Sequence, residues 1–308
     1  MNKVKRFIKG LVLGTICSVT LAILGLNGMK YILYSEYYSI KDNVCINPGL
    51  NDNFVPQGIA VSDSEDLILT SGYMSDKSAS RIYITNSKNE SRYVELYEGD
   101  KASTRHFGGI ALSGDMVYLS VSSKVFPIEL SKILNSSKID IGEGILVNNR
   151  SSFIYADDND LYVGEFHMEG EYDTKNHIED GGKVYNAICE VYDLDDLTKP
   201  IRVYAMRDKV QGFAVTNRGT VVLSTSYGLN DSVYYIYESS AIKDSETTYL
   251  DAPLYYLDEE TRAIYGPAMS EDLSYKDGKV YSLTESASNK YLFGKLFFAH
   301  HIYSLEVD

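Results

Sequence analysis

The chain has 308 residues, 44% of them hydrophobic, which excludes a disordered polymer and allows one large domain or two smaller ones. The first 30 residues hold five basic groups and no acid, whereas the rest of the chain has 24 basic against 43 acidic groups, a net charge of −19. Such a body repels phosphate backbones and anionic lipid headgroups, which excludes nucleic acid as a partner. The 27 Tyr residues and the absence of Trp favour strands over helices.

The N-terminal part has the charge order of a membrane anchor. A basic segment, residues 1–10, precedes an uncharged apolar run at 11–29. A helix of that length spans about 28 Å and can cross a bilayer, so we predict a transmembrane signal anchor. A cleaved signal peptide stays open as an alternative, and the bulky Ile16 disfavours lipid attachment at Cys17. By the positive-inside rule residues 1–10 stay in the cytoplasm, and 30–44 form a linker to a domain outside.

A repeat fills the rest of the chain. Each copy is an apolar strand, a polar turn and a second apolar strand, and a further alternating run follows it. The copies begin at Ile59, Ile110, Phe153, Phe213 and Leu273. Three or four antiparallel strands repeated at this spacing are typical of β-propeller blades. We therefore predict an all-β fold, with a single extracytoplasmic β-propeller over residues 45–308.

The blade number and the closure of the ring follow from the same repeat. Five blades are favoured, and a sixth is possible in 31–56 or in the irregular stretch 167–186. The extended segment 38–47 is predicted to supply the outer strand of the last blade and so to close the ring. A pair of β-sandwiches is the alternative fold.

Polar side chains stand beside the glycines that begin the repeats. Glycine lets neighbouring backbones approach a crowded axis, but the polar residues need another explanation. The second strands return antiparallel, so their ends lie near the same rim. The residues in question are Gln57, His106, Gln211 and Glu271 before the first strands, and Glu165 and Glu285 at the ends of second strands.

Three carboxylates and an imidazole in a confined channel suit a hard cation, Ca²⁺ or another divalent metal, and equally suit acid–base chemistry. The predicted roles are catalytic for His106, Glu271 and Glu285; binding for Gln57, Glu165 and Gln211; and metal-ligating for Glu165, Glu271 and Glu285. The alternative is a structural ring of polar groups that hydrogen-bonds the blade starts together.

Other features point less directly to chemistry. The acidic string at 157–160 resembles a calcium loop, but it occupies the hairpin-turn position of its repeat, so we interpret it as a solvated turn. The stretch 167–186 is long enough to cover the channel as a lid. No GxSxG, P-loop, HExxH or GxGxxG motif occurs, so common hydrolase and nucleotide sites lack support.

Six short strings carry a family resemblance: VPQGIA at 55–60, HFGGIA at 106–111, LYVGEFH at 161–167, VQGFAV at 210–215, LSTSYG at 223–228 and PAMSEDL at 267–273. Over about residues 45–305 the chain resembles secreted or membrane-anchored bacterial β-propellers without an assigned reaction. More distantly it is similar to calcium-dependent lactonases and gluconolactonases, whose axial metal is held by Asp, Asn and Glu. The resemblance implies a propeller with an extracytoplasmic address, and it supplies no catalytic residue.

Two hypotheses about function remain. The first is a binding or scaffold module for a cell-surface ligand or protein, attached to the membrane through the N-terminal helix. The lack of a strong catalytic motif and the many amphipathic Tyr side chains favour it. The second is a metal-assisted hydrolase or lactonase with its site in the central channel. A propeller with a redox cofactor is neither indicated nor excluded.

Overall fold

The computed structural model describes residues 2–62, 66–291, 294–297 and 299–308. The helices there are α1 (Asn2–Leu33), α2 (Ser35–Ile40) and α3 (Leu130–Leu134), with 3-10 turns at Ser239–Ala241 and Gly294–Phe297.

The strands of the described residues, in chain order, are β1 (Lys41–Ile46), β2 (Phe54–Val61), β3 (Ile68–Met74), β4 (Arg81–Thr85), β5 (Ser91–Glu98), β6 (Lys101–Ala102), β7 (Gly109–Ser113), β8 (Met116–Val121), β9 (Lys124–Glu129), β10 (Lys138–Asp140), β11 (Ile145–Leu146), β12 (Phe153–Ala156), β13 (Asp160–Gly164), β14 (Ile178–Asp180), β15 (Lys183–Tyr185), β16 (Ala187–Asp193), β17 (Arg202–Met206), β18 (Val210–Val215), β19 (Val221–Thr225), β20 (Ser232–Tyr237), β21 (Lys243–Tyr249), β22 (Ala252–Tyr256), β23 (Arg262–Gly266), β24 (Ser270–Lys276), β25 (Lys279–Thr284) and β26 (His301–Leu305).

Five sheets form the blades of a β-propeller. We number them blade 1 to blade 5 in chain order. Their strand orders, from the axis outward, are β2-β3-β4-β5-β10 with β6 on β5, β7-β8-β9-β11, β12-β13-β16-β17-β22-β21, β18-β19-β20-β23 and β24-β25-β26-β1. Each innermost strand contacts the innermost strands of the two adjacent blades, so the five close into a ring. The predicted five-bladed all-β propeller is confirmed. The stretch 167–186 holds the small hairpin β14-β15 rather than a sixth blade.

The first strand of the chain completes the last blade. β1 pairs antiparallel with β26, with Lys41 opposite Leu305 and Ile46 opposite His301. The prediction that 38–47 supplies this outer strand is confirmed. The stretch 30–44, expected to be a linker, holds the end of α1, all of α2 and the start of β1. Its apolar and aromatic side chains explain the packing, since Tyr37 is buried against blades 4 and 5.

The glycines at the blade starts lie where backbones meet. A Cβ at Gly58 would lie 2.6 Å from the backbone nitrogen of Ile110 in the next blade. A Cβ at Gly212 would lie equally close to the nitrogen of Leu273. Real Cβ contacts are longer, so only glycine allows this approach of neighbouring inner strands. The interpretation of these glycines as spacers around a crowded axis is confirmed.

The ring has two ends, which we name here. The front rim is the end at which the innermost strands begin and the second strands of each blade finish. The back rim is the end that carries the turns between first and second strands. Each third strand starts again at the front rim, and each fourth strand finishes there.

Helix α1 projects from the propeller. Its side chains from Lys3 to Leu26 are exposed, apart from the half-buried Ile23, and Asn27 is the first buried one. The segment Lys3–Leu33 is long and apolar enough to cross a membrane, and it is the one helix of this kind among the described residues.

Candidate functional site

Bulges in the innermost strands aim polar side chains at the axis. The pairing of β2 with β3 skips Gln57, and the pairing of β18 with β19 skips Gln211. In β24 the irregularity falls between Ser270 and Leu273, so it contains Glu271. A bulge leaves a residue outside the ladder and bends its strand, and bulges of this kind are common beside functional sites. The front rim therefore carries three such polar positions in different blades.

A hydrogen-bonded chain connects three of the predicted residues. The Gln57 side-chain amide donates to Oε2 of Glu285 at 2.8 Å. Its oxygen Oε1 meets Nε2 of His106. The blades 1 and 5 are therefore joined at the front rim by side chains that sequence reasoning assigned to one site. We call Gln57, His106, Glu271 and Glu285 the axial cluster.

Two carboxyl groups of the axial cluster act on each other. Glu271 is 4% exposed, and burial raises the pKa of its carboxyl well above the usual range, with the nearby Glu285 adding to the rise. Burial also raises the pKa of Glu285 to about 7, against the opposing effect of hydrogen bonds from Tyr291 and Gln57. A carboxyl group with a pKa near 7 can give or take a proton at neutral pH.

Aromatic and basic groups form the outer edge of the axial cluster. The His106 ring packs on Tyr73, with 4.4 Å between ring centroids. Packing of the ring among its neighbours and the charge of Lys290 lower the pKa of His106, which favours the neutral imidazole. The ammonium group of Lys290 donates to the Tyr73 hydroxyl and lies near the ring of Tyr291. Glu271 is buried whereas His106 and Lys290 are exposed, so the axial cluster and its neighbours extend from the interior to the surface of the front rim.

The buried Asp272 beside Glu271 has a structural role. Its carboxylate accepts the backbone N–H groups of Ile59, Ile110 and Leu273, which belong to three inner strands. The hydrogen bond from Ile110 measures 3.4 Å. Burial raises the pKa of Asp272, and the three donors oppose that rise. The side chain therefore ties blades 1, 2 and 5 together across the axis.

Glu165 belongs to another part of the molecule. Its carboxylate accepts from the Asn176 side chain at 3.1 Å and from the backbone nitrogens of Arg150 and Ile188. Burial raises its pKa to about 7, and the nearest carboxyl group that adds to this is Glu190, also in blade 3. The expectation that Glu165 joins the axial carboxylates is wrong, because the connection after β13 folds back and supplies its partners locally.

The predicted metal site is consequently not assembled. Among the residues that the structure describes, no group of three or more His, Cys, Asp or Glu side chains is arranged to hold a metal ion. The donor set at the axis is two carboxyl groups plus an amide oxygen that already contacts His106. Calcium needs six to eight oxygen ligands, so these residues do not fit it.

Gln211 stays apart from the axial cluster as well. It is half-buried, and within the described part of the chain its side chain makes no hydrogen bond.

Three neighbours of the axial cluster were not predicted from the sequence: Tyr73, Lys290 and Tyr291. Tyr73 ends a second strand and could have been found from that position. Lys290 and Tyr291 lie in the long connection between β25 and β26, where the sequence holds no repeat to guide an alignment.

Cavities open at both ends of the ring. One of about 440 Å³ opens at the axis on the back rim, with a floor of Ile59, Ile110 and Leu273 and acidic turns around it. There the Asp157 carboxylate accepts the backbone N–H groups of Asn159 and Asp160, as a turn-forming Asp does. The second, of about 490 Å³, lies beside the front-rim connection between β19 and β20.

Comparison with known proteins extends the fold assignment only. No protein-family profile and no curated protein matches the sequence. The chain is similar to the PQQ-bound aldose sugar dehydrogenase of Streptomyces coelicolor, with 14% identity over 87% of this chain and 97% of that one and a TM-score of 0.47. It is also similar to the gluconolactonase XC5397 of Xanthomonas campestris, with 9% identity, coverages of 86% and 94% and a TM-score of 0.39.

A third match is the hydrazine synthase of Kuenenia stuttgartiensis, with 12% identity, 75% of this chain and a TM-score of 0.39. This chain spans only 55% of that one. The distant resemblance to lactonase-type propellers thus has a counterpart among solved structures. At these identities and scores the likeness concerns the fold, and no function is transferred from it.

Proposed function

We propose that the protein is a membrane-anchored, extracytoplasmic β-propeller that binds a cell-surface ligand or protein at its front rim. The observation that carries this proposal is the continuity of the apolar helix with the ring. α1 passes through Tyr34 into α2 and then into β1, the strand that completes the last blade. A ring closed in this way is attached to its anchor by a structural strand.

The charge distribution supports the location outside the cytoplasm. The first ten residues contain Lys3, Lys5, Arg6 and Lys9 and no acid, and α1 follows directly. Basic residues on one side of a single apolar helix hold that side in the cytoplasm. The propeller then lies on the other face of the membrane.

The axial cluster supports binding. Glu271 and Glu285 place two interacting carboxyl groups side by side at the front rim. Gln57 and Tyr291 already donate to Glu285, and a further cation or donor from a ligand would favour the charged forms of the pair. His106, Tyr73 and Lys290 surround them with donors and an aromatic face. Such a mix of polar and aromatic groups suits recognition of a polar ligand.

Photo-crosslinking in the intact host cell tests this proposal. A crosslinking residue in place of Tyr73 at the front rim should give a discrete adduct, and the same residue in place of Asp158 at the back rim should not. Adding Glu285→Gln to the Tyr73 probe should reduce the adduct by about tenfold, the effect of losing one charged hydrogen bond of about 1.4 kcal/mol. Equal adducts from both rims, or none from Tyr73, would contradict binding at the front rim.

A hydrolase is the second candidate, and one observation favours it. The pKa of Glu285 near 7, beside Glu271 and connected through Gln57 to His106, is that of a general acid or base. The residues at the axis do not form a ligand set for a metal ion, so the hydrolase candidate rests on the Glu271–Glu285 pair alone. Ester and lactone turnover by the full chain in detergent, abolished by Glu285→Gln and unaffected by Glu169→Gln, would support it. If the chain hydrolyses neither esters nor lactones, the hydrolase candidate is contradicted.

A further inference from the structure

Helix α1 reaches the propeller at the front rim, without a spacer. α1 ends at Leu33, and the next residue, Tyr34, donates its hydroxyl to Oδ1 of Asp231 at 2.6 Å. Asp231 lies in the front-rim connection between β19 and β20. α1 also packs against Gly294–Phe297, in the connection between β25 and β26 at the same rim. The apolar helix therefore leaves the ring from the end that holds the axial cluster.

The short distance between the membrane span and the ring fixes how close this rim lies to the bilayer. The predicted span ends at Met29, five residues before Tyr34, which is roughly 7 Å along a helix. The headgroup layer on each side of the hydrocarbon core is itself about 5–7 Å thick. The front rim consequently lies at the depth of the headgroups when α1 spans the bilayer.

Exposed apolar side chains are concentrated on this rim. Outside α1 the described residues include eight large apolar side chains that are exposed, and five of them lie at the front rim: Ile46, Leu146, Tyr172, Leu229 and Tyr265. They occupy strand ends or connections of blades 2 to 5. Single exposed apolar residues are ordinary on soluble surfaces, but a bias toward one end marks an interaction face.

Both rims expose acidic and basic side chains. The turns of the back rim carry many acids: Asp115, Asp157, Asp158, Asp193, Asp195, Asp196 and Asp277. The front rim presents exposed lysines, among them Lys209 and Lys290, next to its acids. Lysine and Tyr side chains are favoured at the headgroup level, so Lys209, Lys290 and Tyr172 suit a rim that α1 holds there.

We propose that the front rim docks on the surface of the bilayer that holds α1, so that the axial cluster opens toward the headgroup layer. This inference rests on the proposed anchor. The partner of the rim is the lipid surface itself, and the ligand of the axial cluster reaches it from that surface. The back rim, with its acidic cavity, faces away from the membrane.

Fluorescence quenching from the lipid headgroups tests the docked orientation. The full chain, with Cys17→Ser to remove the exposed native thiol, is reconstituted into vesicles of zwitterionic phospholipid. An environment-sensitive fluorophore is attached at Leu229→Cys on the front rim or at Ile201→Cys on the back rim. Both positions are exposed apolar ones, 54% and 38% respectively, so they form a matched pair.

A spin-labelled headgroup should quench the probe at position 229 roughly threefold more than the probe at 201, because only the front rim lies at headgroup depth. Equal quenching at both positions in protein that co-sediments with the vesicles would overturn the docked orientation and leave the anchor intact. Protein that fails to co-sediment would overturn the anchor, and the proposed function with it.

A second variant separates docking from folding. Leu146→Asp puts a charge on the front rim, and it should lower the quenching of a probe at Tyr265→Cys while vesicle recovery stays unchanged. Ile201→Asp, the same change on the back rim, should leave that quenching as it was. An identical result for both variants, in chains that retain their melting transition, would contradict a role of the front rim in docking.

Discussion

Single residues decide how the inner strands meet. Gly58 and Gly212 let neighbouring backbones touch, while the bulges beside them turn Gln57 and Gln211 out of the ladder. The Gln-Gly pairs of the repeats therefore have two functions, one in the closure of the ring and one in the polar lining of its front rim. The glycines could be predicted from the sequence, because the need for a close approach follows from the propeller geometry alone.

Substitution of Gly58 by Ala should destabilise the ring. The new methyl group would lie 2.6 Å from the Ile110 nitrogen, and the backbone cannot yield there without separating blades 1 and 2. We expect a loss of about 2 kcal/mol in the free energy of unfolding, as for an overpacked core. Thermal melting of the full chain in detergent measures it. Gly28→Ala, with open space around its Cβ, is the control, and an unchanged melting temperature for Gly58→Ala would contradict the close contact.

The raised pKa of Glu285 makes stability depend on pH in an unusual direction. In the folded protein the pKa is about 7, against an ordinary value of 4.5, so folding takes up a proton between these two values. Stability should therefore fall as the pH rises from about 4.5 through about 7, since the folded state then binds more protons than the unfolded state.

Glu285→Gln should reduce this pH dependence. The neutral amide imitates the protonated carboxyl group, so the fall in melting temperature between pH 5 and pH 8 should be smaller, with Glu271, Asp272 and Glu165 responsible for the remainder. Glu169→Gln, a change at an exposed glutamate of the same rim, should leave the profile as it is in the wild-type chain. If the melting temperature of Glu285→Gln falls with pH in parallel with that of the wild-type chain, Glu285 has an ordinary pKa and the account is contradicted.

At the scale of elements, α2 and β1, which together we call the clasp, connect the anchor to the ring. α2 crosses from the front rim toward the back rim, and β1 returns along β26. Tyr37 of α2 is 1% exposed and stacks on Tyr234 of blade 4, while its edge meets Tyr303 of blade 5. One side chain thus fills the gap between the fourth blade and the one that the clasp completes.

Tyr37→Ala should therefore open the ring at this gap. Loss of a buried aromatic side chain costs about 3–5 kcal/mol. The melting temperature should drop, and β1 should become accessible to protease before the other blades. Tyr37→Phe retains the aromatic side chain, so this variant is expected to behave much like the wild-type chain. Equal sensitivity of all blades in Tyr37→Ala would contradict a local role of the clasp.

The sequence predicted the elements that repeat and missed those that do not. The five copies and the closing strand follow from local alternation of apolar residues, which any blade must show. The strands β21 and β22 leave blade 4 and extend blade 3, with β22 parallel to β17. A parallel pairing between distant segments has no local signature. Glu165 was misplaced for the same reason, since Asn176 and Ile188 reach it through a connection that has no counterpart in the other repeats.

At the scale of the whole molecule, the apolar helix α1 adjoins the front rim, which carries exposed apolar side chains, and the back rim lies at the other end of the ring. This order suits a chain that spans a membrane and holds its propeller against the outer surface. The native thiols favour a direct test, because Cys45 and Cys189 are buried and only Cys17, within α1, is exposed.

The most direct test is the labelling of Asp158→Cys, a back-rim position, with a membrane-impermeant maleimide on intact cells. In a Cys17→Ser background we expect the label on intact cells, in a chain that keeps its N-terminal segment and its full mass of 34.5 kDa. Labelling only after lysis would place the propeller in the cytoplasm. A labelled chain shortened by the length of α1 would show that the helix is removed. Either result would contradict a membrane-anchored extracytoplasmic propeller.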